Sequence, residues 1–303
     1  MEVPTKPFWC WQTTGNVEVI LVFGKTGQLA TELSAFKNVK TLGREQADLS
    51  KPLECREAIL FNKPKAVINA AAYTAVDNAE SNEYLARRIN GEAVAMMATT
   101  CAEVKIPLVH ISTDFVFDGS GTTPWLTSDI PNPINAYGRS KLQGERAIEA
   151  SGCIYVILRT SWVVSAHGNN FVKTMLRLSE RKHSLNVVDD QIGGPTFAGD
   201  IAHTCVLIAE QLIKEPSKKG IYHYTGQPDV SWFQFAKEIF EKVGARTVAT
   251  PILTSDYPTP APRPLNSRLN CSTTKEVFGI SRPFWYDALE NILKELDQKH
   301  VKT

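Results

Sequence analysis

The stretch VEVILVFGKTGQLA (residues 17–30) joins a run of apolar residues to a short glycine-containing turn. The apolar run, residues 17–23, is typical of a strand that is buried on both faces. In the turn, Gly24 permits a tight backbone, Gly27 lets a ligand approach the main chain, and Ala30 allows close packing of helix on strand. The stretch therefore predicts a dinucleotide-binding unit in which a helix N-terminus faces the pyrophosphate.

Strands and helices alternate along the chain beyond this unit. We predict strands at residues 39–42, 66–71, 108–113 and 154–160, and helices at residues 28–36, 52–61, 80–104 and 136–150. Strands that alternate with helices pair in parallel through right-handed crossovers. The predicted fold class is therefore α/β, with a doubly wound parallel sheet of the Rossmann type.

The regular alternation ends after the fifth strand, which divides the chain into parts. Residues 1–16 have no helical or alternating period, and we interpret them as an appended tail. We assign residues 17–163 to a dinucleotide-binding domain and residues 164–303 to a smaller substrate-binding region, with residues 185–214 returning to the first domain. The proline-rich segment PTPAPRPLNSR (258–268) is predicted to be an irregular surface arm, because proline does not fit a central strand or a helix interior.

The composition excludes several classes of protein. Among 303 residues, 33 Lys and Arg stand against 32 Asp and Glu, so we expect no nucleic-acid partner. No apolar run could cross a bilayer and no secretory signal is visible, so we expect no membrane partner and a cytoplasmic location. The six cysteines lie far apart, which favours reduced, buried thiols over a disulfide framework or a zinc site.

The end of the second predicted strand bears on the choice of coenzyme. Gly43 and Arg44 stand where a site that prefers NAD often carries an acid, and a guanidinium there would tolerate a 2′-phosphate. We therefore predict that the coenzyme is NADPH, and NADH remains open. The alternative is that Arg44 is an ordinary solvated charge on the loop. Asp48 and Leu49 are expected near the adenine, and the small residues 70–72 offer room for a flat coenzyme.

A candidate catalytic pair lies in NAYGRSKLQGE (135–145). Tyr137 and Lys141 are four residues apart and so share one helix face. A lysine charge lowers the pKa of a nearby phenol, so Tyr137 could protonate a carbonyl oxygen as hydride arrives at carbon, and Lys141 could bind the nicotinamide ribose. This spacing is equally typical of a surface pair. Thr113 favours the catalytic role, since it ends a predicted strand at the ligand-binding edge and can donate a second hydrogen bond.

These motifs resemble those of a known family. The stretches VFGKTGQLA (22–30), STDFVFDG (112–119), NAYGRSKLQGE (135–145), DDQIGGPT (189–196) and PTPAPRPLNSRL (258–269) are similar to the extended short-chain dehydrogenases, and among these to the dTDP-4-dehydrorhamnose reductases. The resemblance implies NADPH-dependent reduction of the C4 ketone of dTDP-4-dehydro-β-L-rhamnose to dTDP-L-rhamnose. This reaction belongs to dTDP-rhamnose and cell-surface polysaccharide biosynthesis.

The resemblance also implies roles for individual residues. Tyr137 would be the general acid, Thr113 its partner at the ketone, and Lys141 the residue that tunes the phenol and holds the ribose. Coenzyme contacts are implied at Gly27, Gln28, Leu29, Asp48, Leu49, Ala72, Tyr73 and Thr74, beside Gly24 and Arg44 from the motifs above. Nucleotide-sugar contacts are implied at Thr113, Asp114 and Trp162, and Arg263 and Arg268 would match the diphosphate.

Two departures from the family pattern leave questions open. Phe115 stands where relatives carry a tyrosine, so one hydroxyl contact is missing. Some relatives bridge a dimer through Mg²⁺ held by three glutamates; Glu32 and Glu295 match, but Gly199 stands at the third place. We therefore assign no metal site and leave Mg²⁺ and a homodimer open. Two alternatives remain, namely a reductase of another 4-keto nucleotide sugar and a non-catalytic dinucleotide-binding regulatory subunit.

Overall fold

The structure is a computed structural model that describes residues 19–300, with side chains up to residue 297. The predicted tail, residues 1–16, and the start of the first predicted strand lie outside the described residues. Within the described part, no helix is both long enough and apolar enough to cross a bilayer. Five cysteines (Cys55, Cys101, Cys153, Cys205 and Cys271) are buried free thiols, as predicted, and Cys10 lies outside the described residues.

Six parallel strands form the central sheet and confirm the predicted fold class. They are β1 (Ile20–Phe23), β2 (Val39–Leu42), β3 (Ala66–Asn69), β4 (Leu108–Thr113), β5 (Tyr155–Thr160) and β10 (Gly220–His223). Their spatial order is β2, β1, β3, β4, β5, β10. The direction of winding reverses between β1 and β3. A doubly wound sheet opens a crevice at this point, outside the carboxyl ends of its strands.

Helices cover both faces of the sheet because successive residues of each strand point to opposite sides. On one face, Ile20 and Val22 pack with residues of α1 (Gln28–Leu33) and α8 (Ala198–Lys214). On the other face, Leu21 and Phe23 pack with α2 (Pro52–Asn62) and α5 (Ala93–Val104), and α6 (Ala136–Ala150) adds Ile148 to the same cluster. The apolar run of the first strand is thus buried from both sides.

One predicted helix is divided in the structure. The region 80–104 contains the end of α3 (Val76–Ser81), then α4 (Glu83–Arg87), a π-helical turn at Arg88–Glu92 and α5. Asn82 leaves the helical conformation with φ −129° and ψ 38°. The π-helical turn carries Asn90, whose amide bonds to the backbone N–H and carbonyl of Tyr73. Helical periodicity reveals neither the interruption at Asn82 nor the π-helical turn, which makes tertiary hydrogen bonds through Asn90.

The second region is built from short strands and four helices. The helices are α7 (Phe171–Ser179), α9 (Trp232–Lys242), α10 (Ser272–Phe278) and α11 (Trp285–His300). The strands pair as β6 (Val163–Val164) with β9 (Thr196–Phe197), β7 (Ser184–Val188) with β12 (Val248–Ile252), and β8 (Ile192–Gly193) between β11 (Val230–Ser231) and β13 (Asn266–Ser267). A separate apolar cluster, with Phe235, Phe240 and Trp285 among its members, holds this region together.

The structure places two segments of the chain differently from the expected domain boundaries. Residues 220–223, expected in the second region, form β10 and pair in parallel with β5. Residues 184–188 form β7, which pairs with β12 outside the central sheet. Of the segment expected to return, α8 packs on the central sheet through Ile201 and Leu212. The two regions are therefore distinguished by the apolar cluster that their residues join, and no single position in the chain divides them.

The packing of α6 against the π-helical turn gives a stability prediction. A Cβ placed on Gly144 would lie 2.2 Å from the backbone oxygen of Asn90. We expect Gly144→Ala to lower the free energy of unfolding by about 1–3 kcal/mol, because overpacking forces the two elements apart. Urea unfolding followed by circular dichroism measures this. Glu149→Ala, at an exposed position of the same helix, should change stability far less, and equal stability of both variants with the parent protein would contradict the prediction.

Candidate active site

A cleft of about 940 Å³ follows the carboxyl edge of the sheet. It runs from the turn after β1, past the ends of β2 and β3, to the ends of β4 and β5. Most of the residues singled out from the sequence line it: Gly24, Gly27, Gln28, Leu29, Arg44, Asp48, Leu49, Ala72, Thr74, Thr113, Asp114, Tyr137, Lys141 and Trp162. Residues scattered over nearly half of the chain thus meet in one elongated space.

The glycine turn shapes one end of the cleft. Gly24 has φ +117°, in the region that favours glycine, and a Cβ there would lie 3.2 Å from Ala30 Cβ. Gly27 caps α1 without a side-chain hydrogen bond, and a Cβ there would meet nothing within 4 Å. The main chain of the turn is therefore open to the cleft. This arrangement suits a bulky anionic group held against the backbone.

Charged side chains surround the far end of the cleft, beyond β2. Arg44 Nε lies 3.1 Å from Asp48 Oδ2, and the Arg44 side chain remains 80% exposed. Lys25 Nζ lies 3.1 Å from Glu45 Oε1. Sequence reasoning did not single out Lys25 or Glu45, although both line the cleft. The two cationic side chains at this rim, Arg44 and Lys25, carry the charge that a phosphate group would pair with.

The start of α6 is fixed by capping and close packing. Asn135 Oδ1 accepts from the Gly138 N–H at 2.8 Å and caps the helix, whose bounds agree with the predicted helix at residues 136–150. Glu80 Oε1 accepts from the Ala136 N–H at 2.8 Å. A Cβ on Gly138 would lie 2.1 Å from the Phe115 backbone oxygen, so the first turn of α6 packs tightly on the segment after β4. This contact holds Tyr137 beside Thr113 and Asp114.

The Tyr137 phenol is more firmly protonated than the sequence predicted. Burial raises the pKa of Tyr137 well above its ordinary value, the Asp114 charge adds to this increase, and a hydrogen bond with Thr113 opposes it. The expectation that Lys141 lowers this pKa is therefore corrected, because burial dominates and Lys141 Nζ is engaged elsewhere. Phe115 packs edge-on against the phenol ring at 5.7 Å. The arrangement provides a partly buried proton donor.

Asp114 and Thr113 form a small polar group next to the phenol. Burial raises the pKa of Asp114 to about 6, although hydrogen bonds from Ser267 and Thr113 oppose the shift. Thr113 Oγ1 donates to Asp114 Oδ1 at 3.1 Å and accepts from the Phe115 N–H at 3.1 Å. The Thr113 hydroxyl has one proton, so it can donate a hydrogen bond either to Asp114 or to a ligand in the cleft.

Lys141 is buried, and its ammonium-bearing end is fixed from the β4 side. Lys141 Nζ donates to the Ile111 carbonyl at 2.6 Å and lies 3.1 Å from His110 Nε2. His110 Nδ1 in turn lies 3.1 Å from Asn69 Nδ2. Neither Asn69 nor His110 was singled out from the sequence. The available signal was a polar residue directly after a run of apolar ones in each strand: Asn69 ends AVIN (66–69), and His110 follows Leu108 and Val109 in LVHIST (108–113).

Trp162 forms one wall of the cleft in a strained conformation. Its φ is +51°, which is uncommon for a residue other than glycine. Its indole stacks on Trp232 with ring centroids 3.5 Å apart, and Trp232 Nε1 donates to Gln191 Oε1 at 3.2 Å. Gly193 makes room, since a Cβ there would lie 2.9 Å from the Trp162 ring. Trp232, which sequence reasoning missed, backs the wall from the second region.

Three residues implied by the resemblance do not line the cleft. Arg263 donates to Asp77 Oδ1 at 2.8 Å and to the Ala261 carbonyl at 2.9 Å, so it ties the proline-rich arm to α3. Arg268 donates to Asn266 Oδ1 at 3.0 Å. Tyr73 packs with Ala79, Ala86 and Ala136. In the described structure these side chains have internal partners, and their expected ligand contacts remain predictions.

The described residues of this chain do not provide the three glutamates that hold Mg²⁺ in some relatives. His167 Nε2 lies 3.6 Å from Glu32 Oε1 and 3.6 Å from Glu295 Oε1, so an imidazole stands between the two matching glutamates. Gly199 supplies no ligand, and a Cβ there would lie 2.5 Å from the Phe197 ring. No group of three or more candidate ligands able to hold a metal ion occurs within residues 19–300.

Comparison with known proteins agrees with this geometry. The family model for the RmlD substrate binding domain matches residues 18–298. The dTDP-4-dehydrorhamnose reductases of Sinorhizobium fredii and Escherichia coli K12 are 41% and 38% identical to this chain, over 90% and 91% of it and 96% and 97% of their own lengths. A crystal structure of the Bacillus anthracis dTDP-4-dehydrorhamnose reductase in complex with NADP superposes with a TM-score of 0.85 at 33% identity, covering 92% of this chain and 99% of that one. The chain therefore belongs to the dTDP-4-dehydrorhamnose reductase family.

Proposed function

We propose that this protein uses NADPH to reduce the C4 ketone of dTDP-4-dehydro-β-L-rhamnose, giving dTDP-L-rhamnose. The observation that carries the proposal is the convergence of Thr113, Tyr137 and Lys141 at one end of a cleft that begins at the glycine turn after β1. An acid, a hydrogen-bond donor and a basic residue are the groups that ketone reduction by a nicotinamide requires. Family membership supports the choice of substrate.

The residues present fit a dinucleotide. The cleft has the volume of a large ligand, and the open main chain at Gly24 and Gly27 suits a pyrophosphate. We infer that Arg44 and Lys25 receive the 2′-phosphate, and that Asp48 and Leu49 lie near the adenine. When bound, the reduced nicotinamide supplies the hydride that reaches C4 of the sugar.

The remaining chemistry belongs to residues of this chain. Tyr137 keeps its proton at neutral pH because burial raises its pKa, and it gives that proton to the C4 oxygen. Thr113 turns its hydroxyl proton from Asp114 toward the same oxygen. Lys141, anchored on the Ile111 carbonyl, directs a further N–H at a ribose hydroxyl. Hydride and proton together complete the alcohol.

Trp162 suits the deoxysugar. One face of its indole is covered by Trp232, and an aromatic wall of this kind packs against the apolar side of a sugar ring. Asp114, buried beside Thr113, offers an acceptor for a sugar hydroxyl. The contacts of Arg263 and Arg268 with the diphosphate remain predictions, since in the described structure each side chain pairs with a residue outside the cleft.

Removal of the phenol tests the assignment of the acid. In Tyr137→Phe we expect kcat for NADPH oxidation with the 4-keto sugar to fall by about 10²- to 10⁴-fold, because the positioned proton donor is lost. Coenzyme affinity, measured by fluorescence titration, should stay close to that of the parent protein. Tyr257→Phe removes an exposed phenol and should leave kcat unchanged. A Tyr137→Phe enzyme with parental turnover would remove Tyr137 from the proposed chemistry.

The choice of coenzyme is tested separately at the rim of the cleft. We expect kcat/KM to be higher with NADPH than with NADH, and Arg44→Ala to lower the NADPH value about tenfold, as the loss of one charge-assisted contact would. The NADH value should change little. Arg181→Ala deletes the same charge from an exposed site in the second region and serves as the control. Equal losses with both coenzymes would exclude Arg44 from phosphate recognition.

A further inference from the structure

A series of aromatic rings leads from the core of the second region to the wall of the cleft. Trp162, which lines the cleft, stacks on Trp232 with the ring planes 9° apart and the centroids 3.5 Å apart. Phe171 packs on Trp232 at a centroid distance of 4.5 Å and on Phe235 at 5.6 Å. Phe235 in turn meets Trp285 at 5.1 Å within the apolar cluster of that region. The cleft wall is therefore the last ring of a series that begins in a buried core.

The main chain at Trp162 is fixed, but the main chain alone does not decide where the indole lies. The Trp162 carbonyl accepts from the Thr196 N–H at 3.1 Å. The left-handed φ of +51° is a conformation that the surrounding packing has to stabilise. Gly193 leaves space beside the ring, and the stacking contact with Trp232 supports the face of the indole. The position of the cleft wall therefore depends on a side chain of the second region.

Local structure fixes the place of Trp232, the first residue of α9. The Ser231 side chain accepts from the Gln234 N–H at 3.0 Å, and Gln234 Oε1 accepts from the Ser231 N–H at 2.9 Å, which forms a capping box. Ser231 also pairs with Ile192 of β8, and the next residue of β8 is Gly193. The strand that leaves room for the cleft wall thus also holds the start of α9.

Hydrogen bonds fix the rotation of the Trp232 ring. Its Nε1–H donates to Gln191 Oε1 at 3.2 Å, and Gln191 Nε2 donates to Thr254 Oγ1 at 3.1 Å. Thr254 Oγ1 in turn donates to Asp190 Oδ1 at 2.6 Å. Because a carboxylate oxygen accepts, the Thr254 proton points to Asp190, and the Thr254 oxygen accepts from the Gln191 amino group. The Gln191 amide is thereby oriented with its oxygen toward the indole.

Trp232 does not itself line the cleft in the described structure. We propose that Trp232 and Gln191 are positioning residues that hold the Trp162 indole in place for the sugar ring of the nucleotide sugar. The inference rests on the proposed function in taking the sugar as the group that packs on Trp162. It gives the second region a part in recognising the sugar, through a ring that the ligand does not touch.

Support of this kind changes affinity without any contact to the ligand. A ring that turns freely loses that freedom when a sugar packs on it, and the lost entropy weakens binding. The Trp162 ring is already held against Trp232, so it is ordered before the ligand arrives. The affinity for the sugar should therefore depend on Trp232. The affinity for the coenzyme, whose proposed phosphate contacts lie at the turn after β1, should not.

Binding of two ligands that differ only in the sugar tests the proposal. The probes are dTDP-L-rhamnose and dTDP, titrated by calorimetry into the whole chain with NADP⁺ present. In Trp232→Leu we expect the Kd of dTDP-L-rhamnose to rise about three- to tenfold, the effect of one lost aromatic contact, and the Kd of dTDP to stay unchanged. Phe233→Leu removes the next, half-buried ring of the same helix and should alter neither value. Equal losses for both ligands, or no loss, would overturn the proposal.

A double-mutant cycle separates positioning from a general loss of structure. Because Trp232 acts through Trp162, Trp232→Leu should cause no further loss of sugar affinity in a chain that already carries Trp162→Leu. The same loss in both backgrounds would indicate a merely structural role and contradict the proposal. Trp232→Phe keeps a flat ring, so it should restore part of the affinity that Trp232→Leu loses. It also supplies the cycle if the leucine variant does not fold.

Fluorine NMR reads the stack without a ligand. Fluorotryptophan labels all six tryptophans of the chain, and the Trp162 signal is identified by its loss in Trp162→Leu. A stacked ring shifts the signal of its neighbour, so we expect the Trp162 signal to move in Trp232→Leu and in Gln191→Leu but not in Phe233→Leu. An unmoved signal in Gln191→Leu would contradict the role of Gln191. A parent protein that shows the expected binding differences yet does not reduce the 4-keto sugar would contradict the proposed function alone.

Discussion

Parallel pairing of β1, β3, β4 and β5 is the constraint on which the site depends. In this pairing the carboxyl ends of all four strands reach the same edge, and register decides which side chains meet there. Asn69 is paired with His110, and Thr113 with Thr160. Paired residues of neighbouring strands point to the same face of the sheet. The Asn69 to His110 contact is therefore a direct product of register.

A second constraint is the close approach of α6 to its neighbours. Gly138 and Gly144 lack the Cβ atoms that would meet the Phe115 and Asn90 backbone oxygens. The helix can therefore lie against the end of β4 and against the π-helical turn at the same time. This position places Tyr137 over the cleft and buries Lys141 against β4. The same two glycines therefore permit both the close packing of α6 and the positions of Tyr137 and Lys141.

The second region completes the cleft from the opposite side. Trp162 leaves β5 in a left-handed conformation, and stacking on Trp232 and the space at Gly193 accommodate its ring. The proline-rich arm is held by the pairing of Arg263 with Asp77, so it is anchored to the first region at α3. The two regions share this wall and this anchor, although each has its own apolar core.

Local sequence determined the helices and strands and those of their ends that depend on neighbouring residues. The alternation of strands and helices predicted the fold class and the helix at residues 136–150, and the turn at Gly24 and Gly27 predicted a ligand-facing turn at the end of the cleft. Each of these depends on periodicity, backbone freedom or capping within a few residues. The family resemblance added the substrate, which composition and spacing do not specify.

Tertiary structure alone decided the contacts between distant segments. The partner of His110, the Trp232 ring behind Trp162 and the pairing of Arg263 with Asp77 all join residues that only register or region packing brings together. The pKa of Tyr137 likewise follows from burial, and a four-residue spacing to Lys141 says nothing about how deeply the phenol lies. Sequence periodicity tells which face of an element is buried, whereas the neighbours found there depend on how all the elements are assembled.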